Sequence, residues 1–432
     1  MINNKKKLNI AIIGLGNIGS YLYKYLSTNK DILSKKNNCI PNVVYVSAKN
    51  KNKKRNLKIN KKKWLNNYLS ATKLKEVDII VELIGGAEGP AKKLVFNALK
   101  NKKHVVTANK ALIAKYGDQL SKIAEENEVN LEFEAAVCGG VPIIRSLKES
   151  LIANKIFSVY GILNGTSNYI LSTMDKENKN FNEVLSDAQK LGYAESNPIS
   201  DLNGDDVASK LKILSSLCFN SFINNNIHIE GIKNIDKIDI DNANKLGFKI
   251  KLLGISELID NQVYQYVHPT LIKKSSYIAS IDGVLNAVIV DGKPVGQSVI
   301  QGAGAGPEAT TSALISDISS ILRGNIKFPF SISNNERKKL NYNDIKNRNF
   351  SAYLRFEVLD KPGVLSNITN IFSKNRVSIK RLIQNPNKSK KLSSIVIITH
   401  SSKNNSLNKI IKQIEIKNYI AKKPKLIRIG SY

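Results

Sequence analysis

The sequence predicts an α/β chain of three successive domains: an N-terminal doubly wound dinucleotide-binding sheet, an α+β middle domain, and a small ferredoxin-like unit at the C-terminus. Three observations predict it. Short apolar runs alternate with helical spacing from Leu8 to Gly140, and a glycine turn closes the first of them. Longer β-rich runs fill residues 227–300. A βαββαβ pattern then occupies residues 351–432. At 432 residues the chain is also too long for one core.

Each element has its own signal. LNIAII (8–13) is an apolar strand that ends in GLGNIGS, and SYLYKYLS continues with helical spacing. VVYVSA (43–48) and DIIVELIGG (78–86) read as the second and third strands, the latter closed by a Gly pair. KHVVTANKALIA (103–114) and VNLEFEAAVCGG (129–140) each read as a strand running into a helix. SVYGILNGTSNYIL (158–171) is strand, turn, helix, and DGKP (291–294) is a turn between two strands. GAGAGPEATTSALISDISSILRG (302–324) is a Gly-rich loop feeding an apolar helix, which is expected to complete the first domain. The expected boundaries are 1–145, 146–325 for a catalytic and dimerisation domain, 326–350 for a polar linker that should tolerate cutting, and 351–432.

Composition excludes several classes. With 66 Lys and Arg against 35 Asp and Glu, the formal charge is +31. The Lys excess travels with Asn and Ile, as in INKKKWLNN, and aromatics do not alternate with the basic residues. No nucleic-acid partner is therefore expected. No stretch approaches the ~18 apolar residues of a membrane span. The basic start MINNKKK runs straight into the first strand, so neither a signal peptide nor a membrane partner is expected. Cys39, Cys138 and Cys218 have no metal or redox spacing, which suits a reduced, cytoplasmic setting.

Gly14, Gly16 and Gly19 stand in GxGxxG spacing, with Asn17 and Ile18 between them. Such a turn after a strand and before a helix lets a diphosphate sit on the helix N-terminus, where free N–H groups favour anions. NAD enzymes usually place an acid at the end of the second strand. No Asp or Glu occurs from Ile32 to Lys75, and Lys49, Lys53, Lys54 and Arg55 follow that strand instead. NADP is favoured, with NAD as the alternative.

One stretch runs against the basic composition. LGYAESNPISDLNGDDVASK gathers Glu195, Asp201, Asp205 and Asp206, with Lys210 one helical turn beyond Asp206. As local structure it would be a helix start with capping acids. As a site, it suits a ligand that carries an ammonium group.

Together GLGNIGS, VELIGG, TANKAL, EAAVCGGVPIIRSL, GILNGTSNYIL, LGYAESNPISDLNGDDVASKL, VHPTLI, GAGAG and DKPGVL resemble the homoserine dehydrogenases that carry a C-terminal ACT domain. The resemblance runs over essentially the whole chain. It implies a Rossmann cofactor domain, and reduction of aspartate 4-semialdehyde to homoserine on the way to threonine, methionine and isoleucine. By that resemblance Glu195 and Asp206 hold the substrate with Asp201 in support, and Lys210 donates the proton. Lys110 lies near nicotinamide and substrate, Thr166 is a substrate-pocket donor, and Gly302 joins the cofactor site. The family's monovalent cation, sodium, falls to Glu134, Val137, Gly139 and Val141. Asp360 and Gly363 would receive threonine as effector, and a homodimer or homotetramer is expected. A 2-hydroxy-acid dehydrogenase would need a histidine relay, and none of the four histidines stands in such a context.

Overall fold

The computed structural model describes residues 5–387 and 391–430; residues 1–4, 388–390 and 431–432, among them the outermost ends of the expected first and last domains, lie outside the described residues. Strand β1 (Lys7–Ile13) ends in four consecutive buried apolar residues, Ile10 to Ile13, because it is covered on both faces. Ile10 and Ile12 pack with Leu22, Leu314 and Ile318, while Ala11 and Ile13 pack with Leu94 and Leu120. Strands β2 (Ile40–Ser47), β3 (Ile79–Glu82), β4 (His104–Thr107) and β5 (Leu131–Glu132) complete a parallel sheet in the order β2-β1-β3-β4-β5. Helices α1 (Asn17–Thr28), α2 (Lys30–Asn37), α3 (Pro90–Lys100) and α4 (Lys110–Glu126) cross between them. The carboxyl ends of β1, β3 and β4 therefore share one edge, where open parallel sheets bind ligands.

One expected element differs. After the two residues of β5, VNLEFEAAVCGG makes a single 3₁₀ turn, Glu134–Ala136, instead of entering a helix. Cys138 (φ 57°) and Gly139 (φ 48°) then take left-handed conformations that no helix allows. The chain turns back into a short helix, α5 (Ile143–Arg145).

The middle domain supplies β6 (Lys155–Ile162), α6 (Gly165–Glu177), α7 (Phe181–Lys190), α8 (Ile199–Asn203), α9 (Asp205–Cys218), β7 (His228–Ile229), α10 (Lys237–Lys245), β8 (Phe248–Ile259), β9 (Gln262–Lys273), β10 (Leu285–Lys293) and β11 (Gly296–Ala303). Helix α11 (Pro307–Leu322) returns to pack against α1. Helices α6 and α9 cover one face of the second sheet, and α9 also lies against α4 of the first domain. That contact is the seam between the two domains.

The C-terminal unit has the expected βαββαβ order: β13 (Asn349–Leu359), α12 (Val364–Lys374), β14 (Ile379–Asn387), β15 (Leu392–Thr399), α13 (Asn404–Glu415) and β17 (Ile420–Ile429), with β12 (Asn341–Asn343) before it and a small β16 (Ser402–Lys403) inside it. It continues the middle sheet instead of standing apart. Strand β17 pairs in parallel with β9 at Arg428–Thr270 and Ile429–Leu271, giving the order β11-β10-β6-β8-β9-β17-β13-β15-β14. Buried arginines hold the junction: Arg428 forks onto Glu230 at 2.8 and 2.9 Å, and Arg355 binds Asp239 at 2.6 and 3.1 Å. The stretch 326–350, expected as a polar linker, is anchored by buried Phe330, Arg337 and Ile345, and β12 pairs with β9. Its polar composition hides these three anchors. No helix among the described residues is long and apolar enough to cross a membrane.

Candidate active site

The glycine turn between β1 and α1 is shaped by packing at two of its glycines and by space at the third. A Cβ at Gly14 (φ 110°) would lie 2.4 Å from the Leu83 carbonyl oxygen, and one at Gly19 would lie 2.0 Å from that of Gly14. Gly16 faces open space, and Asn17 and Ile18 begin the helix whose N-terminus points there. An open backbone at a helix N-terminus fits a dinucleotide diphosphate. Beyond β2, Lys49 is exposed. Arg55 comes closer to the turn: its Nε donates to the Leu15 carbonyl at 2.9 Å, and its guanidinium stands 5.7 Å from the Trp64 ring centre. Sequence spacing put weight on Lys49, because the fold-back of the 50–55 loop is not visible in one dimension.

At the next two strand ends, the buried Glu82 organises the loops. Its carboxylate accepts the N–H groups of Ile84 and Gly85 at 2.7 and 3.0 Å and the Thr107 hydroxyl at 2.6 Å. Thr107 accepts the Asn109 N–H, and Asn109 donates to the Gly86 carbonyl while capping α4 at Leu112. This chain fixes Lys110, the first residue of α4. Glu82 was not singled out from the sequence, although an acid ending an otherwise apolar strand is a visible signal.

Asp206, in the first turn of α9, is the centre of the seam. Its Oδ1 meets Lys110 Nζ at 2.6 Å, and its Oδ2 meets Lys210 Nζ at 2.8 Å and Asn164 Nδ2 at 2.9 Å. Asn164 also donates to Asp201 at 2.8 Å and caps α6 through the Ser167 N–H. Burial alone would raise the Asp206 carboxyl, but Lys210 and Lys110 outweigh it and hold it well below the usual carboxylate range. Burial opposes the Lys210 ammonium in turn, yet Asp206 wins and raises it above the ordinary lysine value. Asp201 moves the other way, raised by burial and then by Asp206. Asn164, like Glu82, is not among the residues expected from the sequence, although its position at a strand end before a helix is a visible signal.

The remaining expected residues divide. Thr166 donates to the Tyr193 carbonyl at 2.6 Å, tying α6 to the turn that carries Glu195. Glu195 itself is exposed and has no ion-pair partner among the described residues. Gly302 at the end of β11 packs on Gly140, and a Cβ at Gly139 would lie 2.7 Å from the Gly304 carbonyl oxygen, so these two loops meet backbone to backbone. Cys138 is buried between them, and burial raises its thiol.

The expected cation set fits in part. The Glu134 carboxylate already accepts the Ile144 and Arg145 N–H groups at 2.9 and 2.6 Å, and burial pushes it up to about 7. The Glu134 and Val141 carbonyls accept Val137 and Ile143 N–H groups, whereas nothing among the described residues bonds to the carbonyls of Val137 or Gly139. Two open carbonyls in a left-handed turn suit a hard monovalent ion, not a metal that needs side-chain ligands, and no group of three such side chains occurs among the described residues. Asp360 and Gly363 (φ 83°) lie just before α12, far along the chain from the seam, and Asp360 is exposed.

A dinucleotide turn beside a buried lysine–carboxylate cluster defines an oxidoreductase that works with a nicotinamide dinucleotide. Residues 14–134 match the NAD-binding domain of homoserine dehydrogenase, 142–319 the family described as homoserine dehydrogenase, and 352–416 the ACT domain. The chain is 37% identical to homoserine dehydrogenase of Neisseria gonorrhoeae over 99% of both chains, and 39% identical to that of Helicobacter pylori over 98% of this chain and 99% of the other. The crystal structure of a homoserine dehydrogenase from Thiobacillus denitrificans superposes with a TM-score of 0.92 at 37% identity, covering 99% of each chain. That of S. aureus homoserine dehydrogenase at pH 7.5 gives 0.77 at 34% identity, covering 99% of this chain and all of that one. The chain belongs to the homoserine dehydrogenase family, oxidoreductases acting on a CH–OH group.

Proposed function

We propose that the chain reduces L-aspartate 4-semialdehyde to L-homoserine with NADPH, using Lys210 as proton donor, and that it serves threonine, methionine and isoleucine synthesis in the cytoplasm. The observation that carries this reading is Asp206 held between Lys110 and Lys210 at 2.6 and 2.8 Å. The nicotinamide, when bound, supplies the hydride. Charge then builds on the aldehyde oxygen, and a buried ammonium is suited to meet it. Two of the three N–H groups of Lys210 are engaged, by the Leu163 carbonyl at 2.6 Å and by Asp206, which leaves one for the substrate. Lys210 gives that proton to the nascent alkoxide, and Asp206 keeps the lysine charged beforehand. Lys110, half-exposed at the α4 N-terminus, is placed to hold the substrate from the cofactor side. Glu195, Asp206 and Asp201 receive the substrate ammonium, and Thr166 keeps the Glu195 turn in place.

The basic rim of Lys49 and Arg55 supports a cofactor 2′-phosphate, and the open carbonyls of Val137 and Gly139 support a sodium ion with structural duty. Threonine as effector at Asp360 and Gly363, in a homodimer or homotetramer, is the matching reading of the ACT domain. One set of assays tests the whole: semialdehyde-dependent oxidation of NADPH and NADH in parallel, each with and without millimolar threonine. NADPH turnover that threonine suppresses is expected. Absence of semialdehyde-dependent turnover would overturn the reading, and a threonine-blind rate would remove its regulatory half.

A further inference from the structure

The reacting groups named above sit on two helices that belong to different domains. Lys110 opens α4, and Asp206 and Lys210 lie in the first turns of α9. Nothing covalent nearby fixes one helix against the other, yet their contact sets where Lys110 meets Asp206. Farther along both helices a single side chain bridges them. Arg337 Nη2 binds Asp118 of α4 at 2.6 Å and the Ser216 hydroxyl of α9 at 2.9 Å. The same guanidinium donates to the Ser221 carbonyl just past α9, at 2.8 Å from Nη2 and 3.2 Å from Nε, and Nη1 reaches Asn334 at 3.0 Å. Phe330 and Phe222 flank it, with their ring centres 4.2 and 4.9 Å away.

The surroundings are built for this close approach. Arg337 is almost fully buried although it comes from the polar stretch that resembles a linker. Gly117, beside Asp118, lets the helix come close: a Cβ there would lie 2.9 Å from the tips of both Phe330 and Ile223, which would have to shift. A glycine inside a helix is unfavourable for the helix itself, so its presence here is explained by the need for contact. Asp118 also accepts the Ile223 N–H at 3.1 and 3.3 Å, and Lys338 exchanges backbone hydrogen bonds with Asn220 and Phe222. The 330–338 segment is thus annealed to both helices at once. At 1.5 Å per residue, the bridge lies about 12 Å down α4 from Lys110 and about 15 Å down α9 from Asp206. Helices tied at that depth cannot slide past one another at their N-termini without breaking the tie.

We propose that Arg337 is a positioning residue for the reaction: by clamping α4 to α9, it sets the register in which Lys110 meets Asp206 and so aims the Lys210 ammonium. The proposal rests on the reading of Lys110, Asp206 and Lys210 as the reacting site. Arginine is required because Nη2 meets both helices only while Nε and Nη1 are anchored on Ser221 and Asn334; a lysine has no planar fork to hold its single nitrogen in that place. A displacement of about 1 Å at a reacting centre can cost up to ~100-fold in rate.

The experiment is a kinetic double-mutant cycle between Arg337→Lys and Lys110→Ala, in the full-length enzyme. Readouts are kcat and KM for the semialdehyde, and NADPH affinity by fluorescence. In the native background Arg337→Lys should lower kcat about ten-fold or more while NADPH affinity stays within about two-fold. In the Lys110→Ala background the same change should cost less than about three-fold, because the contact it sets is already gone. An unchanged kcat in Arg337→Lys, or an equal loss in both backgrounds, would overturn the clamp and leave the site reading intact. Native turnover by Lys110→Ala alone would instead remove the site reading, and the clamp with it. If Arg337→Lys does not fold, Asp118→Asn carries the same cycle with the guanidinium kept in place.

Discussion

Two buried clusters of lysine and carboxylate in this molecule make a pair of opposites, one open and one closed off. At the seam, Asp206 is shared by Lys110 and Lys210, and the Lys110 side chain remains 43% exposed. Behind the first sheet, Lys148 meets Glu132 at 3.1 Å with both side chains 5% exposed, and Asp317 accepts the Glu134 N–H at 2.9 Å. In the first cluster the cations win, and Asp206 is held low. In the second, burial wins: the Glu134 carboxyl rises to about 7, and Asp317 rises well above its ordinary value. The same residue types therefore do different work. A carboxylate shared by two lysines, with one spare N–H on Lys210 and a half-exposed Lys110, suits the proposed proton donor; a closed set with more acid than base ties α11 to the turn after β5.

Neutralising the lysine of each cluster separates these roles most sharply. Lys210→Met should lower kcat by ~10²–10⁴-fold, the usual contribution of a positioned acid, while the melting temperature changes little. Asp206 would still be held by Lys110 and Asn164. Lys148→Met should do the reverse, because it leaves Glu132 buried and unpaired, at a cost of about 3–5 kcal/mol in stability. Thermal melts and single-temperature kinetics on the two variants suffice. If Lys148→Met lost turnover at full stability, or Lys210→Met kept it, the comparison would collapse.

The open cluster should also titrate where the sealed one cannot be seen in the rate. On the proposed mechanism reduction uses Lys210 as the ammonium, which Asp206 stabilises above lysine's ordinary 10.5 in spite of burial. Its rate should therefore hold steady until the pH approaches that value. Oxidation of homoserine needs the neutral amine as proton acceptor, so its rate should climb with pH, by about ten-fold per unit at most. Lys210→Arg should abolish the climb, since a guanidinium does not deprotonate in this range. Parallel pH profiles in the two directions check this, and a flat oxidation profile would exclude Lys210 as the acceptor.

Much of this was legible in the chain because it is local. The glycine turn, each strand–helix unit and the acidic run around Asp206 are written within about twenty residues apiece, and all but the helix expected after β5 stand in the structure where that pattern implies. What escaped is long-range. Arg337 reads as part of a polar linker, and its partner Asp118 lies 219 residues earlier. Arg428 joins the C-terminal unit to Glu230 across 198 residues, so a unit that looks complete by its own pattern proves continuous with the middle sheet. Asn164 lies inside GILNGTSNYIL, yet only folding shows that it bridges Asp201 and Asp206. A residue whose partners are remote carries no periodic signal of its own.

The smallest expected effect concerns the cofactor rim, the most exposed charge in the comparison. Lys49 stands free in solvent, whereas Arg55 is drawn in by the carbonyls of Leu15 and Asn50 at 2.9 and 2.8 Å and lies over Trp64. A fixed guanidinium beside the glycine turn should contribute more to 2′-phosphate recognition than a mobile ammonium, because less side-chain entropy is lost on binding. NADPH should be preferred over NADH. Lys49→Glu should flatten that preference by only a few-fold, in keeping with the ~1 kcal/mol that an exposed charge commands. Arg55→Ala should flatten it further, since the loop of residues 50–55 loses its hold on the turn. The ratio of kcat/KM for the two cofactors measures both. A larger effect at Lys49 than at Arg55 would return the selectivity to the end of the second strand, where the sequence first placed it.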